Sequence, residues 1–173
     1  YVGTPSYDQS FFVQIDINDF VYLYGQTYGS MPITSGLFGN ANAMQFIRKY
    51  NSTLSTISWN TKVGGNSAGS NQRISPTAFL VSDCFEIYFA GWGGEIISSN
   101  ISAFQVTPDA FQPSTNGDAF YIAVLDADAV GLQYATFMGG PSREHVDGGT
   151  SRFDKNGRIY HAVCSACGGN ANG

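Results

Sequence analysis

The sequence is short of charge. Asp, Glu, Lys and Arg make up 12% of its 173 residues, about half the ~25% usual in a soluble domain. Long amphipathic helices need Lys, Glu and Arg on their wet face, so helical bundles are excluded as the main architecture. The eight Lys and Arg are scattered, form no basic run and leave a net charge of −5. Nothing here neutralises a row of phosphates, which argues against nucleic acid as a partner. No window holds the ~18 uninterrupted apolar residues of a membrane-spanning helix. Gly-x-Ser-x-Gly is absent, and neither His145 nor His161 stands beside a recognisable nucleophile elbow, so no hydrolase site is legible and no enzyme is expected. Initiator Met and signal peptide are lacking too. The chain opens at Tyr1-Val2-Gly3, stops in Gly168-Gly169-Asn170-Ala171-Asn172-Gly173, and reads as an excerpt of a longer protein.

Gly is plentiful at 21 residues, and aromatics reach 14%. That mixture suits short strands joined by tight turns. The chain also repeats itself. Leu54 to Gly65 matches Val130 to Gly140: Ile57 aligns with Leu132, Trp59 with Tyr134 and Thr61 with Thr136, and both copies end in Gly-Gly. Ile33-Thr34-Ser35-Gly36-Leu37-Phe38 matches Val106-Thr107-Pro108-Asp109-Ala110-Phe111. A third element occurs three times, beginning at Asp16, Asp83 and Asp154, each an Asp, a short turn and then a β-branched residue before Tyr. Separate elements recurring at nearly one period of about 70 residues mark a repeat architecture.

Each unit reads as four short strands. The first strands are expected at Phe11–Asp16, Thr77–Asp83 and Gly149–Asp154, and the second at Phe20–Gln26, Glu86–Trp92 and Gly157–Val163. The third fall at Gln45–Tyr50 and Ala119–Leu125, the fourth at Leu54–Val63 and Leu132–Met138. Asn156-Gly157 is a strong hairpin signal. Val21 to Tyr24 and Phe120 to Leu125 are continuous apolar runs, as in strands covered on both faces. The expected fold is therefore all-β: a β-propeller fragment of four-stranded antiparallel blades, with a β-sandwich as competitor. Blade 1 spans about 11–65, blade 2 about 74–140, and the first half of blade 3 about 147–169. Propellers close with about four to eight blades, so the fold is expected to continue beyond both ends.

The segments Val21-Tyr22-Leu23-Tyr24-Gly25-Gln26-Thr27, Ile74 to Leu80, Gly91-Trp92-Gly93-Gly94, Tyr134 to Gly140 and Glu144 to Gly169 resemble the SBBP-type propeller repeats of large secreted Bacteroidota proteins. The resemblance covers the chain from about residue 14. It implies export and an extracellular or cell-surface location, in proteins that often carry PKD-like modules and a type IX secretion sorting domain, some of them associated with gliding motility. It implies no activity that transfers residue by residue.

Local motifs leave alternatives open. Cys164-Ser165-Ala166-Cys167 follows a strand rather than opening a helix, which disfavours a redox centre. Zinc with Cys84 and His161 is a second reading. A disulfide is the third, Cys164 to Cys167 or Cys84 to either. Glu144, His145 and Asp147 form a polar group in an expected inter-blade loop. Asp126 and Asp128 make an incomplete calcium-type pattern, although Asp is common in hairpin turns for its own backbone bonds. Trp59 and Trp92 are candidates for stacking on sugars, though such rings commonly fill the space between blades. No catalytic, cofactor-binding or metal residues are assigned. The expectation is a non-enzymatic structural or adhesive module of a large secreted cell-surface or filament protein, whose partners are the remainder of its own chain and other surface proteins or polysaccharide. The alternative is a glycan-binding or glycan-degrading propeller with a site on its axis.

Overall fold

A computed structural model describes residues 3–65, 71–145, 151–154, 156–162 and 164–165. Strands β1 (Asp8–Ile15), β2 (Val21–Thr27), β3 (Gln45–Tyr50) and β4 (Ile57–Val63) form one antiparallel sheet in chain order. Strands β5 (Ser75–Val81), β6 (Ile87–Gly93), β7 (Ala119–Leu125) and β8 (Leu132–Met138) form a second sheet of the same order. Four short strands follow: β9 (Glu144–His145), β10 (Ser151–Phe153), β11 (Ile159–His161) and β12 (Cys164–Ser165). Here β10 pairs with β11 and β9 with β12, both antiparallel. The helical turns among the described residues are two 3-10 turns, Glu95–Ile97 and Ala127–Ala129. The fold is all-β, built on antiparallel four-stranded sheets.

The sequence repeat is a repeat of geometry. In both sheets the first strand carries one extra residue, Phe11 in β1 and Thr77 in β5, and the fourth strand carries another, Ser58 and Gln133. Opposite the first bulge stand Gly25 and Gly91, where a Cβ would lie 2.3 Å from the Gln9 carbonyl and 2.6 Å from that of Ser75. Trp59 and Tyr134 hold the same register position, opposite Lys49 and Val124. The long second-to-third connections also match. Thr34 N–H donates to Asn60 O while Thr34 Oγ1 accepts from Asn60 N–H, and Thr107 does the same with Ala135. Each connection thus occupies hydrogen-bonding groups along the outer strand, which would otherwise be an open edge.

The first hairpin turn recurs three times, with a correction to the expected alignment. Asp16 Oδ1 accepts from the N–H groups of Asn18 and Phe20, and Asp154 Oδ1 accepts from those of Asn156 and Arg158. In the second copy the corresponding oxygen is Ser82 Oγ, which accepts from Cys84 and Glu86 N–H. The counterpart of Asp16 is therefore Ser82, not Asp83. A hydroxyl oxygen bonds the turn as a carboxylate does. All three turns close on a left-handed residue: Asp19 (φ 62°), Phe85 (φ 66°) and Gly157 (φ 73°). β4 starts at Ile57 rather than Leu54, because Leu54 is itself left-handed (φ 59°) in the preceding turn. Glu144–His145 is a strand where a loop was expected, while Asp147 and Gly149–Thr150 lie outside the described residues.

The core lies between the two sheets. Tyr24 of β2 stacks on Phe79 of β5 at 5.2 Å and meets Phe89 of β6 at 5.6 Å. Tyr22, Ile47 and Val63 join from the first sheet; Val81, Ile87, Ala123 and Leu125 join from the second. β5 lies against β1 on one side and β10 on the other. Equivalent positions differ sharply in burial. Phe79 and Val81 face the first sheet and are 6% and 7% exposed, whereas their counterparts Val13 and Ile15 are 58% and 61% exposed. Phe38 packs on the core, and its N–H donates to Ala129 O of the second sheet's last turn. Its counterpart Phe111 is 79% exposed.

Candidate functional site

The polar chemistry of the interior collects at one seam between the sheets. Lys49, next to last in β3, points its ammonium at Asp128 Oδ1 (2.7 Å) and stands 3.9 Å from Asp16 Oδ2. It also lies 4.7 Å and 5.1 Å from the ring centres of Phe20 and Tyr22, within cation–π range. Trp59 Nε1–H donates to the same Asp128 oxygen at 3.0 Å, and the Tyr22 hydroxyl donates to Asp16 Oδ2 at 3.1 Å. The Lys49 hydrogen bond, with help from Trp59, holds the Asp128 carboxyl below its ordinary value although burial opposes this. Burial first, then the Asp16 charge, pushes the Tyr22 hydroxyl far up, so it stays a donor. The arrangement fastens two sheets together. In the Asp126–Asp128 turn, Lys49 and Trp59 both bond Asp128 Oδ1.

The two histidines lie in different short strands, His145 in β9 and His161 in β11. His161 Nδ1 and Ser151 Oγ are 2.7 Å apart, a pairing not visible in the sequence. Ser151 is buried, and burial pulls the His161 imidazole below its ordinary pKa. A nucleophile needs access to substrate and a third group to orient its base. Ser151 lacks the first, and His161 Nε2 is buried without a partner. The pair reads as a structural hydrogen bond. Glu144 is buried, takes the Gly140 N–H on Oε1, and lies where a side chain at Gly139 would stand. Gln72 crowds Gly65 in the same way, so each Gly-Gly pair makes room for a buried amide or carboxyl. Burial raises the Glu144 pKa. His145 packs edge-on to Trp92 at 5.6 Å.

Of the cysteines, Cys84 is free and exposed in the first hairpin turn of the second sheet, so it bridges to neither of the others. Cys164 is disulfide-bonded; Cys167 lies outside the described residues. No group of three His, Cys, Asp or Glu gathers as a metal site among the described residues. Trp59 and Trp92 are both buried between strands and offer no open ring face. The Asn51 and Asn100 side chains are occupied in their own turns. No helix among the described residues is long and apolar enough to cross a membrane.

Of the open clefts lined by described residues, two hold a pair of tyrosines. One, about 250 Å³, is apolar and lies between the far face of the second sheet and the β10–β11 hairpin; Tyr88, Ile122, Val124, Tyr134 and Phe153 line it. Burial and a hydrogen bond to Glu86 push the Tyr88 hydroxyl there up to about 12. The other, about 340 Å³, opens where the two sheets meet and is lined by Tyr7, Gln9, Phe11, Gln26, Tyr28, Arg73, Ser75 and Ile97. The sequence pointed to tryptophans; the exposed rings of this second cleft belong to Tyr7, Tyr28 and Phe11. The available signal was a break in the repeat: Tyr28 falls where the second unit has Gly94. Compared with known proteins, the chain matches no family model, no curated protein and no solved structure.

Proposed function

We propose that these residues are a stretch of a β-propeller, two blades and the opening hairpin of a third, serving as a non-enzymatic structural or adhesive module of a large secreted surface protein. One observation carries the reading. Positions that the neighbouring sheet buries in one unit stand bare in the other: Val13 and Ile15 against Phe79 and Val81, and Phe111 against Phe38. A repeat whose end faces copy its internal faces is built to be continued at both ends. The order β1, β5, β10, each first strand beside the next, suits inner strands ranged about an axis. The resemblance to SBBP-type repeats supplies the surface location.

The test is the structure of the full-length natural chain by electron cryo-microscopy, with antibody labelling of intact cells. A closed ring in which further blades cover Ile15 and Phe111, on a surface-labelled protein, is the expected result. A closed two-sheet sandwich, or labelling only after lysis, would overturn the reading.

A further inference from the structure

Interior features of the two units repeat: bulges, turn oxygens, threonine clasps and Gly-Gly pairs. Departures from a repeat are where a sequence serves something other than its fold. One departure exposed to solvent is the cleft between β1, β2 and the start of β5. Tyr7 and Tyr28 are about half exposed there, their rings 5.3 Å apart and tilted by 37°. Phe11, the bulge residue of β1, is also exposed. The second unit has Gly94 in place of Tyr28, and at the next junction His145 packs on Trp92.

Arg73 sets the charge of this cleft. Its Nη1 donates to the Tyr28 hydroxyl at 2.6 Å and to Asn71 Oδ1 at 3.0 Å, and its Nη2 donates to the Ile97 carbonyl. The guanidinium lies 5.8 Å from the Tyr28 ring centre. Three of its five N–H donors are thus used, which fixes its plane and leaves one N–H on Nε and one on Nη2. Among the described residues no carboxylate lies within ion-pair distance of Arg73, whereas Lys49 and Arg143 both have one. In a chain of net charge −5, a held and un-neutralised guanidinium beside open aromatic rings is an anion receptor with a stacking platform. Around it stand neutral groups that bond hydroxyls: Gln9, Gln26 and Ser75. Gln9 takes the Tyr7 hydroxyl on its amide oxygen, which leaves its amide nitrogen to donate.

We propose that this cleft binds an acidic saccharide, with the sugar carboxylate on the free N–H edge of Arg73 and an apolar sugar face against Tyr7 and Tyr28. The volume of about 340 Å³ falls at the small end of ligand sites. Carboxylate, ring face and hydroxyls each find a counterpart, and the mixed polar lining suits a polyhydroxylated ligand better than an apolar peptide side chain. The site needs only the first two sheets and does not depend on ring closure, so its failure and that of the propeller reading are separate outcomes.

The experiment is calorimetric titration of the full-length natural chain with uronate tetrasaccharides (galacturonate, mannuronate and glucuronate), their methyl esters, and a tetraglutamate peptide. At least one uronate binds, and its neutral ester binds about 10-fold more weakly, the loss of one charge-assisted contact. Arg73→Gln brings the acid down to the ester's affinity. Tyr7→Ala, at an exposed ring with little part in the fold, weakens acid and ester alike by about 10-fold, the scale of one lost stacking contact. Melting temperatures of both variants are read alongside; if Arg73→Gln unfolds the cleft, Tyr7→Ala decides alone. No binding by any uronate at millimolar concentration, binding indifferent to Tyr7→Ala, or tetraglutamate matching the best uronate would overturn the proposal.

Discussion

Trp59 of the first sheet and Asp128 of the second are joined by a 3.0 Å hydrogen bond from the indole N–H, on the carboxylate oxygen that also takes the Lys49 ammonium at 2.7 Å. Lys49 is buried in a strand covered along its whole length, where an unpaired ammonium is costly. Removing Asp128 leaves Lys49 with Asp16 alone, at 3.9 Å. The Asp128 side chain is 56% exposed, so solvent screens part of the pair. Asp128→Ala is therefore expected to cost about 1–2 kcal/mol rather than the 3–5 of a fully buried pair. Urea unfolding at neutral pH measures it.

The same pair sets a pH dependence. Asp128 has its folded pKa lowered from 3.8, chiefly by the Lys49 hydrogen bond. A depressed carboxyl contributes stability that is full above the unfolded value and is lost as pH falls through the folded one. The stability gap between wild type and Asp128→Asn should be constant from pH 7 to about 5 and shrink below about 4. A gap that widens in acid would contradict this assignment.

The glycines opposite the first bulge make a second prediction. A Cβ at Gly91 would stand 2.6 Å from the Ser75 carbonyl, which is backbone and has little freedom to yield. Gly91→Ala should destabilise by about 1–3 kcal/mol through overpacking. Gly36→Ala serves as a contrast: Gly36 has nothing within 4 Å of its Cβ position, but its φ of +84° is unfavourable for an L residue, so its cost is backbone strain of about 1 kcal/mol. Thermal unfolding of the two variants separates crowding from strain.

Strands were legible wherever both faces of the chain are apolar or one alternates. β3, β7 and β8 coincide with the expected spans, and the equivalence of Trp59 and Tyr134 holds in the register. The hairpin turn was misaligned by one residue because pattern reading matched Asp to Asp, while the turn needs only an oxygen and Ser82 supplies it. β9 was missed because two residues carry no period and its partner β12 comes some 20 positions later. The Lys49–Asp128 contact spans 79 residues, and nothing local in either segment announces it. The open cleft escaped because Trp59 and Trp92 drew attention by residue type, and type alone does not reveal that both are buried.

Cysteine chemistry gives a third prediction. Cys84 is a free, exposed thiol in a turn, open to a maleimide, while Cys164 is disulfide-bonded. Labelling unreduced native protein should therefore modify Cys84, and Cys84→Ser should abolish that labelling without changing the melting temperature. Modification at Cys164 before reduction would show that its bond is absent.

The bare end faces yield the last prediction. Val13 and Ile15 of β1 and Ile17 of the turn after it are exposed on the first unit, and Phe111 stands exposed on the second. The internal counterparts of Val13 and Ile15 are buried against a neighbouring sheet, so these side chains have the shape of an interior without its cover. Contiguous exposed apolar surface drives association, and the free edge of a sheet adds unpaired backbone groups. Residues 1–173 expressed alone should therefore self-associate as concentration rises in sedimentation velocity. Val13→Lys with Ile15→Lys should suppress that association with little loss of stability, because neither side chain packs on the core between the two sheets. In a longer chain that covers this face the same pair should be strongly destabilising, since two ammonium groups would then be buried without partners. A monomeric, cooperatively unfolding 173-residue chain, equally tolerant of both lysines in either context, would mean that nothing packs on this face and would restore the sandwich as the better account.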